Sequence, residues 1–327
     1  DNIPVRTCLK RLGYDIVPVL AQCAPDPDYT NTKSPNPEVD ASYELAIKLA
    51  KEVDADVVAI TDPDGDRLGV VAKHNGEYVL MSGNQSAAVY LEYILSQRKE
   101  KGTLPDNAVM YNTIVTSDLG ELVARNYGVD VEKTLTGFKF IGDKIRKYEK
   151  THEKQFIFGY EESYGCVVED FVRDKDAVQA VLLAAECGNY YKKQGKDLID
   201  VLNELYAKYG TFKESQIALA KAGAAGAARI KEMMDTLRND QPIEIGGVKV
   251  VLSEDYATSE RSDGTTIDLP KSNVLKYYLE DGSWIAVRPS GTEPKCKFYY
   301  CIKGSSKEDA HNKTVHFQKA MDDLIAK

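Results

Sequence analysis

A short apolar run is followed at once by three aspartates at alternate positions: Val57–Thr61, then Asp62, Asp64 and Asp66. The run predicts a buried strand, and Pro63 and Gly65 predict a tight turn directly after it. In such a turn the carboxylates converge on one point, where they repel one another unless a cation lies among them. Oxygen ligands suit a hard ion such as Mg²⁺, and the planar charge of Arg67 suits a phosphate or a carboxylate. The segment Asp62–Arg67, called the acidic loop below, therefore predicts a metal site on a strand-to-helix loop.

Three other interpretations of the acidic loop are weighed against a metal site. A solvated surface turn is common for an Asp-x-Asp pattern taken alone. An EF-hand calcium loop needs Gly at its sixth position and Glu at its twelfth, where this chain has Arg67 and Lys73. A haloacid-dehalogenase-like phosphatase loop needs a hydroxyl residue shortly after the second aspartate, and Asp66 takes that place. An oxygen-ligated metal explains the pattern best.

A second loop combines a glycine with hydroxyl and cationic side chains after the apolar segment 284–287. It reads Arg288-Pro289-Ser290-Gly291-Thr292-Glu293-Pro294 and is called the Arg288 loop. Gly291 allows neighbouring backbone N–H groups to face one anion, and Ser290 and Thr292 add hydroxyl donors. Arg288 can bind phosphate through two parallel hydrogen bonds. A plain turn between strands is the alternative, but the arginine and the two lysines that follow favour phosphate binding.

Two further loops carry weaker signals. The Glu161 loop, Glu161-Glu162-Ser163-Tyr164-Gly165, follows an apolar segment, and paired acids beside a serine can bind the hydroxyls of a sugar. The Gly137 loop, residues 136–142, begins Thr136-Gly137-Phe138-Lys139, where the lysine can contact a phosphate or transfer a proton. Taken alone, the Glu161 loop is better explained as a charged turn. A solvated surface lysine explains Lys139 as well as a functional role does.

Composition excludes several classes of protein. The 327 residues contain 51 acidic and 42 basic side chains, so the chain lacks the positive charge of a nucleic-acid-binding protein. No apolar run is long enough to span a membrane, and no signal peptide is visible. The 6 cysteines are scattered without metal-binding spacing, which argues against a zinc site and suits a cytoplasmic location.

Turn and periodicity patterns divide the chain into three regions, and the first is residues 1–76. It contains a helical pattern over residues 3–13, a strand at Asp15–Leu20, a helix at Ala41–Glu52 and the strand before the acidic loop. Strand, helix and strand in this order predict a parallel sheet, whose ligands bind beyond the carboxyl ends of its strands. Asn75-Gly76 predicts a hairpin at the end of this region.

Residues 77–209 predict a second α/β domain, and residues 210–327 a small α+β domain. In the second region we expect helices over 84–98, 118–127, 137–150 and 174–194, and strands over 108–115, 129–132 and 155–160. Asp118 is the expected N-cap of its helix, because Glu121 follows three residues later. In the third region we expect strands over 248–252, 274–279, 283–287 and 297–302, and helices over 222–237 and 307–326.

The four loops, in this order and at these separations, resemble those of the α-D-phosphohexomutase superfamily, and most of all phosphoglucomutase/phosphomannomutase enzymes. The acidic loop with Gly69, the Gly137 loop, the Glu161 loop and the Arg288 loop match the family's metal, sugar-specificity, sugar-binding and phosphate loops. The resemblance implies two α/β mixed-sheet domains, the first one incomplete, followed by a small α+β C-terminal domain. It also implies an isomerase that interconverts glucose 1-phosphate and glucose 6-phosphate through a phosphoserine and a bisphosphate intermediate.

The resemblance implies a role for each matching residue. Asp62, Asp64 and Asp66 would bind Mg²⁺. Arg67 would approach the phosphoserine or the reacting oxygen, and Lys139 would lie where such enzymes place a proton-transfer group. The other matches would bind a hexose phosphate: Glu161 and Ser163 its hydroxyls, and Arg288, Ser290, Gly291 and Thr292 the phosphate that does not react.

One part of the family pattern is missing from this sequence. The catalytic serine of the family lies in a Ser-His-Asn-Pro-type loop of the first domain, and no such loop occurs here. We therefore expect a fragment that lacks the first domain and is inactive alone. The alternatives are a mutase for mannose, pentose or aminosugar phosphates, and a non-catalytic sugar-phosphate-binding protein. Only the likeness of the Glu161 and Gly137 loops to those of the glucose-preferring group favours glucose.

Overall fold

The computed structural model describes residues 2–220, 223–290 and 294–325, and it divides into two units, Asp1–Leu205 and Tyr206–Lys327. The helices of the described residues are α1 (Asn2–Arg11), α2 (Glu44–Val53), α3 (Gly83–Glu100), α4 (Asp118–Asn126), α5 (Lys139–Thr151), α6 (Ala177–Lys192), α7 (Leu198–Tyr209), α8 (Gly223–Asn239) and α9 (Lys307–Ile325). None of these helices combines the length and the apolar character that a membrane span needs.

The strands fall into three sheets. The strands of the described residues are β1 (Val57–Thr61), β2 (Leu68–His74), β3 (Glu77–Met81), β4 (Ala108–Thr113), β5 (Asp130–Thr134), β6 (Gln155–Glu161), β7 (Gly165–Val167), β8 (Thr211–Ala220), β9 (Glu244–Ile245), β10 (Val248–Asp255), β11 (Glu260–Arg261), β12 (Leu275–Leu279), β13 (Trp284–Pro289) and β14 (Lys295–Gly304). The predicted fold class is confirmed, because α/β layers with parallel and antiparallel pairing precede an antiparallel α+β part.

The acidic loop lies in a three-stranded antiparallel sheet with the order β1-β2-β3. β1 and β2 pair along the whole of β1, so residues 62–67 close a hairpin. β2 turns into β3 at Asn75 and Gly76, which have φ values of +50° and +84°. Two successive positive φ angles are typical of a tight hairpin turn, and the predicted hairpin is confirmed.

Two expectations for the first region are wrong. Asp15–Leu20 is not a strand, because Pro18 cannot donate to a ladder and Val17 and Leu20 are 53% and 74% exposed. The first sheet is antiparallel rather than parallel, and the acidic loop joins two strands instead of a strand and a helix. A connection this short returns the chain directly beside β1, whereas parallel pairing needs a long crossover.

The second sheet has the order β5-β4-β6-β7, with β4 parallel to both β5 and β6 and with β7 antiparallel to β6. Helices α4 and α5 make the crossovers between the parallel strands. The carboxyl ends of β5 and β6 therefore lie at one edge of the sheet, where the Gly137 loop and the Glu161 loop begin. The predicted α/β character of this region is confirmed, although Ser117 rather than Asp118 is the N-cap of α4.

Helices α3 and α6 contact both sheets of the first unit. α3 packs against β2, β3 and β6, and α6 packs against β1, β2 and β7. The N-terminus of α3 is fixed by a capping box, in which Ser82 accepts from the Gln85 N–H and the Gln85 side chain accepts from the Ser82 N–H. These helices place the acidic loop beside the carboxyl edge of the second sheet.

A half-buried charge cluster joins β5 to α5 and to Lys154, and it gives a pH prediction. Burial raises the pKa of Glu132, but Lys144, Tyr148 and Lys154 outweigh it and lower that pKa to about 2. Both ammonium groups lie 2.9 Å from its carboxylate, and the Tyr148 hydroxyl donates to it at 2.7 Å. Because the folded pKa lies below the usual value, this contribution is complete above about pH 4.5 and is lost as pH falls towards about 2.

We expect Glu132→Gln to reduce the free energy of unfolding at neutral pH by at most about 3 kcal/mol, and by less where solvent screens the lysines. The difference from the unaltered chain should shrink as pH falls from about 4.5 to about 2. Urea unfolding at several pH values measures it. A difference that stays constant over this range would contradict the assignment.

The second unit is built on an antiparallel sheet with the order β11-β10-β12-β13-β14-β8, and β9 pairs with β10. Helices α8 and α9 cover one face, where Met234, Ile285 and Phe317 are fully buried in a shared core. The strand β8 is not anticipated by the sequence, because its residues are largely exposed and lack a clear apolar alternation. It exists because it pairs with β14 along its whole length.

Candidate active site

The three aspartates of the acidic loop converge as the sequence predicts. Asp62, Asp64 and Asp66 each offer a carboxylate oxygen, and these oxygens lie within 4.8 Å of one another. Gly65 reverses the chain with φ +74°. The Oδ1 atom of Asp62 accepts hydrogen bonds from the backbone N–H groups of Asp66 and Arg67, each at 3.1 Å. Asp62 therefore shapes the turn that gathers the other two carboxylates.

The electrostatics of this loop fit a bound cation. Burial, together with the neighbouring carboxyls of Asp66 and Asp64, raises the pKa of Asp62 to about 6, although the hydrogen bond from the Arg67 N–H lowers it. The Oδ1 atom of Asp66 is buried and has no hydrogen-bond partner among the described residues. Three crowded carboxylates with an unsatisfied oxygen form the donor set that a hard divalent ion prefers.

Arg67 lies against the same carboxylates. Its Nη1 atom is 2.9 Å from Glu38 Oε1, and its Nε atom is 3.7 Å from both Asp62 Oδ2 and Asp66 Oδ1. The guanidinium thus borders the predicted metal position, and its role at a reacting phosphate stays a prediction. Glu38 is not among the residues that the sequence singled out.

A lysine that sequence reasoning missed also reaches the acidic loop. Lys175 Nζ lies 3.1 Å from Asp66 Oδ2 and 3.9 Å from Glu161 Oε2. Burial lowers the pKa of Lys175, but these carboxylates more than compensate, and the net shift is upward. Gly165 leaves the space, because a Cβ there would lie 2.0 Å from Lys175 Cδ. The sequence offers one clue to this residue. Lys175 directly precedes Asp176, the N-cap of α6, where the helix dipole disfavours a positive charge.

Backbone hydrogen bonds tie the acidic loop to its neighbours. The N–H of Leu68 donates to Tyr164 O at 2.9 Å, and the N–H of Ala177 donates to Gly65 O at 3.0 Å. The acidic loop is therefore joined both to the Glu161 loop and to the start of α6. These bonds fix its position independently of any bound ion.

The two glutamates of the Glu161 loop have different partners. Glu161 is buried, and its Oε1 atom accepts from the Gly137 N–H at 2.7 Å, which connects it to the Gly137 loop. Glu162 instead accepts from the Thr113 hydroxyl at 3.0 Å, at the end of β4. Ser163 is half-buried beside them. The structure thus brings together three of the four predicted loops within one unit.

Lys139 occupies a more open position than Lys175. It is exposed at the start of α5, and its Nζ atom lies 5.0 Å from the centroid of the Phe140 ring. Among the described residues it forms no ion pair with the acidic loop or with Glu161. A role for Lys139 in proton transfer stays a prediction.

The Arg288 loop belongs to the second unit. It connects β13 to β14, which pair through Arg288 and Lys297, and the Ser290 N–H donates to Lys295 O at 2.7 Å. Arg288 is half-buried, with Nη1 3.4 Å from the Tyr299 hydroxyl. The predicted residues Gly291 and Thr292 lie outside the described residues. Phosphate binding by this loop stays a prediction.

A second group of possible metal ligands lies near the tip of the β2–β3 hairpin. His74 Nδ1 is 2.8 Å from Asp197 Oδ2 and 3.8 Å from Asp200 Oδ1. The other oxygen of Asp197 caps α7 by accepting from the N–H groups of Ile199 and Asp200, and Asp200 accepts in return from the Asp197 N–H. These contacts form a helix N-cap, so we interpret the group as a link between the hairpin and α7.

Family models of phosphoglucomutase/phosphomannomutase match three successive parts of the chain. The alpha/beta/alpha domain II matches residues 3–76, the alpha/beta/alpha domain III residues 82–209, and the C-terminal domain residues 219–312. A phosphoglucomutase of Staphylococcus haemolyticus is 39% identical over 301 residues, which are 90% of this chain and 54% of that protein. One from Staphylococcus epidermidis is 40% identical over 290 residues, 87% of this chain and 52% of that protein.

The crystal structure of pp63/parafusin, a phosphoglucomutase from Paramecium in an open form, superposes with a TM-score of 0.66. The superposition covers 93% of this chain and 52% of that one at 20% sequence identity, and it supports the fold alone. The chain spans about half the length of the curated relatives that it matches. With three domain models in succession over most of its residues, the chain belongs to the phosphoglucomutase/phosphomannomutase family.

Proposed function

We propose that the protein to which this chain belongs is a phosphoglucomutase that interconverts glucose 1-phosphate and glucose 6-phosphate. The observation that carries the proposal is the convergence of three carboxylates with Arg67 and Lys175 beside Glu161. Phosphoryl transfer needs positioning and charge neutralisation more than covalent assistance. Both needs are met where fixed charges of both signs surround one point. The identity to phosphoglucomutases of about 40% supports glucose as the sugar.

A metal ion is typical of this family, and we propose Mg²⁺ at the acidic loop. Asp62, Asp64 and Asp66 would be its protein ligands, because their carboxylate oxygens are the donors that a hard ion prefers. When bound, the ion would neutralise charge on the transferring phosphoryl group. The carboxylates would hold the ion at a fixed place, because backbone hydrogen bonds to Asp62 and Gly65 set the turn.

The remaining residues would bind and orient the sugar phosphate. Arg67 would bind oxygens of the phosphoryl group in transit, and Lys175 would keep Asp66 and Glu161 close together without mutual repulsion. Glu161 and Ser163 would bind sugar hydroxyls, and Lys139 would transfer a proton. Residues of the Arg288 loop would bind the phosphate that does not react: Arg288, Ser290, Gly291 and Thr292. Binding energy from that remote phosphate helps to orient the reacting end.

In the proposed reaction a phosphoserine donates its phosphoryl group to the hexose monophosphate. The resulting bisphosphate reverses its orientation, and the serine takes back the other phosphoryl group, so phosphate is conserved.

The described cysteines form no disulfide, which supports a reducing cytoplasm as the place of reaction.

An activity assay on the complete gene product tests this function. We expect it to convert glucose 1-phosphate to glucose 6-phosphate in an assay coupled to glucose 6-phosphate dehydrogenase, with activity removed by EDTA and restored by Mg²⁺. Faster turnover of mannose 1-phosphate or ribose 1-phosphate would favour the other mutases. Binding of these sugar phosphates without any turnover would favour a non-catalytic sugar-phosphate-binding protein.

In the same assay we expect Arg288→Ala to raise KM for glucose 1-phosphate about tenfold, with a smaller loss in kcat, because a bidentate phosphate contact is removed. Lys271→Ala, at an exposed site of the same unit, serves as the control. Unchanged kinetics for Arg288→Ala in a folded protein would show that this loop does not hold the phosphate.

A further inference from the structure

The guanidinium of Arg67 lies among three carboxylates at unequal distances. Its Nη1 atom forms a charge-assisted hydrogen bond to Glu38 Oε1 at 2.9 Å. Its Nε atom is 3.7 Å from Asp62 Oδ2 and from Asp66 Oδ1, too far for hydrogen bonds. This Nε atom is buried and has no hydrogen-bond partner among the described residues. Glu38 therefore sets the position of the guanidinium.

The backbone around Glu38 is held in place by buried groups. The hydroxyl of Tyr43, which is 1% exposed, donates to Pro37 O at 2.8 Å. The hydroxyl of Ser42 donates to Asn36 O at 2.7 Å, and the Glu38 N–H donates to Asn36 Oδ1 at 3.0 Å. These contacts fix the residues on the N-terminal side of Glu38. The glutamate thus projects from a turn held by several hydrogen bonds, although its own side chain is partly exposed.

We propose that Glu38 is a positioning residue that holds the Arg67 guanidinium off Asp62 and Asp66, so that both carboxylates stay free for a divalent cation. The proposal rests on the metal site put forward above. The two carboxylate oxygens that lie 3.7 Å from Arg67 Nε belong to proposed metal ligands. A guanidinium and a metal ion therefore compete for the same lone pairs.

The consequence of losing Glu38 follows from the charges that remain. Among the described ion pairs of Arg67, only those with Asp62 and Asp66 would be left. Because these carboxylates repel each other, the guanidinium would move onto them and act as their counter-ion. A cation would then have to displace it. A partly exposed ion pair adds little to stability, so metal affinity is the informative measurement.

Titration of the 327-residue chain with MnCl₂ and with MgCl₂ by isothermal calorimetry tests this competition. We expect Glu38→Gln to weaken binding about five- to tenfold, the size of effect found for neighbouring groups that share a partner. In an Arg67→Gln background the same substitution should change affinity by less than about twofold, because the competitor is gone. Glu44→Gln, which removes an exposed charge paired with Lys33, is the control for net charge.

Glu38→Asp separates geometry from charge. The shorter side chain keeps the charge but reaches Arg67 less well, so its affinity should lie between those of the unaltered chain and Glu38→Gln. Equal affinities for the unaltered chain and Glu38→Gln would overturn the proposal. So would an equal loss with and without Arg67, since that is a long-range charge effect. If the unaltered chain bound neither ion, the proposed metal site itself would be wrong. Normal binding by the unaltered chain together with no effect of Glu38→Gln would contradict only the role of Glu38.

Discussion

Asp64→Asn is expected to weaken binding of Mg²⁺ to this chain about a hundredfold or more, since even partners behind the ligands are worth roughly 10- to 100-fold. Asp64 suits this test because it is exposed, whereas Asp62 also holds the turn through its hydrogen bonds. Loss of one charged oxygen leaves two carboxylates and an amide, a much weaker donor set for a hard ion. Calorimetric titration measures the change directly.

The fold of Asp64→Asn should remain intact without metal. Asp64 helps to raise the pKa of Asp62, so removing its charge relieves repulsion within the loop. We expect a melting temperature without metal that is unchanged or slightly higher. In the unaltered chain Mg²⁺ should raise the melting temperature because it binds the folded state, and this increase should disappear in Asp64→Asn.

Asp106→Asn, an exposed aspartate of the same unit outside the loop, is the matched control. It should bind Mg²⁺ as the unaltered chain does. If Asp64→Asn also bound normally, the ion would lie elsewhere. His74→Ala would then show whether the group formed by His74, Asp197 and Asp200 holds it.

Local sequence patterns predict the parts of this site that depend on one turn or one strand end. The acidic loop converges because Gly65 and the alternate spacing act within one short turn. The Gly137 and Glu161 loops meet because parallel strands end at a common edge. The first arrangement depends on one short segment, and the second only on two strands of the same sheet ending at the same edge.

The missed residues reach the site through packing between distant segments. Glu38 lies 29 residues from Arg67, on a loop whose composition suggests only irregular structure. Lys175 approaches Asp66 because Gly165 leaves room for its side chain. Neither contact has a periodic signature, and neither follows from local propensity. The antiparallel first sheet was missed for a related reason, since strand direction depends on which neighbour the chain returns to.

Gly69→Ala is expected to lower the free energy of unfolding by roughly 3 kcal/mol, at the upper end of the usual cost of overpacking a core. A Cβ at this position would lie 1.8 Å from the Tyr43 hydroxyl oxygen and 2.9 Å from Pro37 Cβ. Tyr43 is buried and cannot turn away without breaking its hydrogen bond to Pro37 O. Urea unfolding of the chain measures the loss.

Gly188→Ala is the matched control, because a Cβ there meets only Cγ2 of the half-buried Val57, at 3.3 Å, which has to move by a few tenths of an ångström, and alanine favours the helix α6. It should leave stability unchanged or raise it slightly. Tyr43→Phe removes the clashing oxygen and should cost about 1 kcal/mol alone, for the lost hydrogen bond. Combined with Gly69→Ala it should cost less than the sum of the two. Strict additivity would mean that the hydroxyl is not what excludes a side chain at residue 69.

Gly69 also connects packing to the site, because Tyr43 and Pro37 are the groups that fix the turn before Glu38. If the methyl group added by Gly69→Ala displaces them, Glu38 moves with the turn and no longer holds Arg67 in place. Gly69→Ala should then lose Mg²⁺ affinity by about the same factor as Glu38→Gln, and Arg67→Gln should restore it. A destabilised but folded Gly69→Ala chain with normal affinity would show that Glu38 keeps its position without this packing.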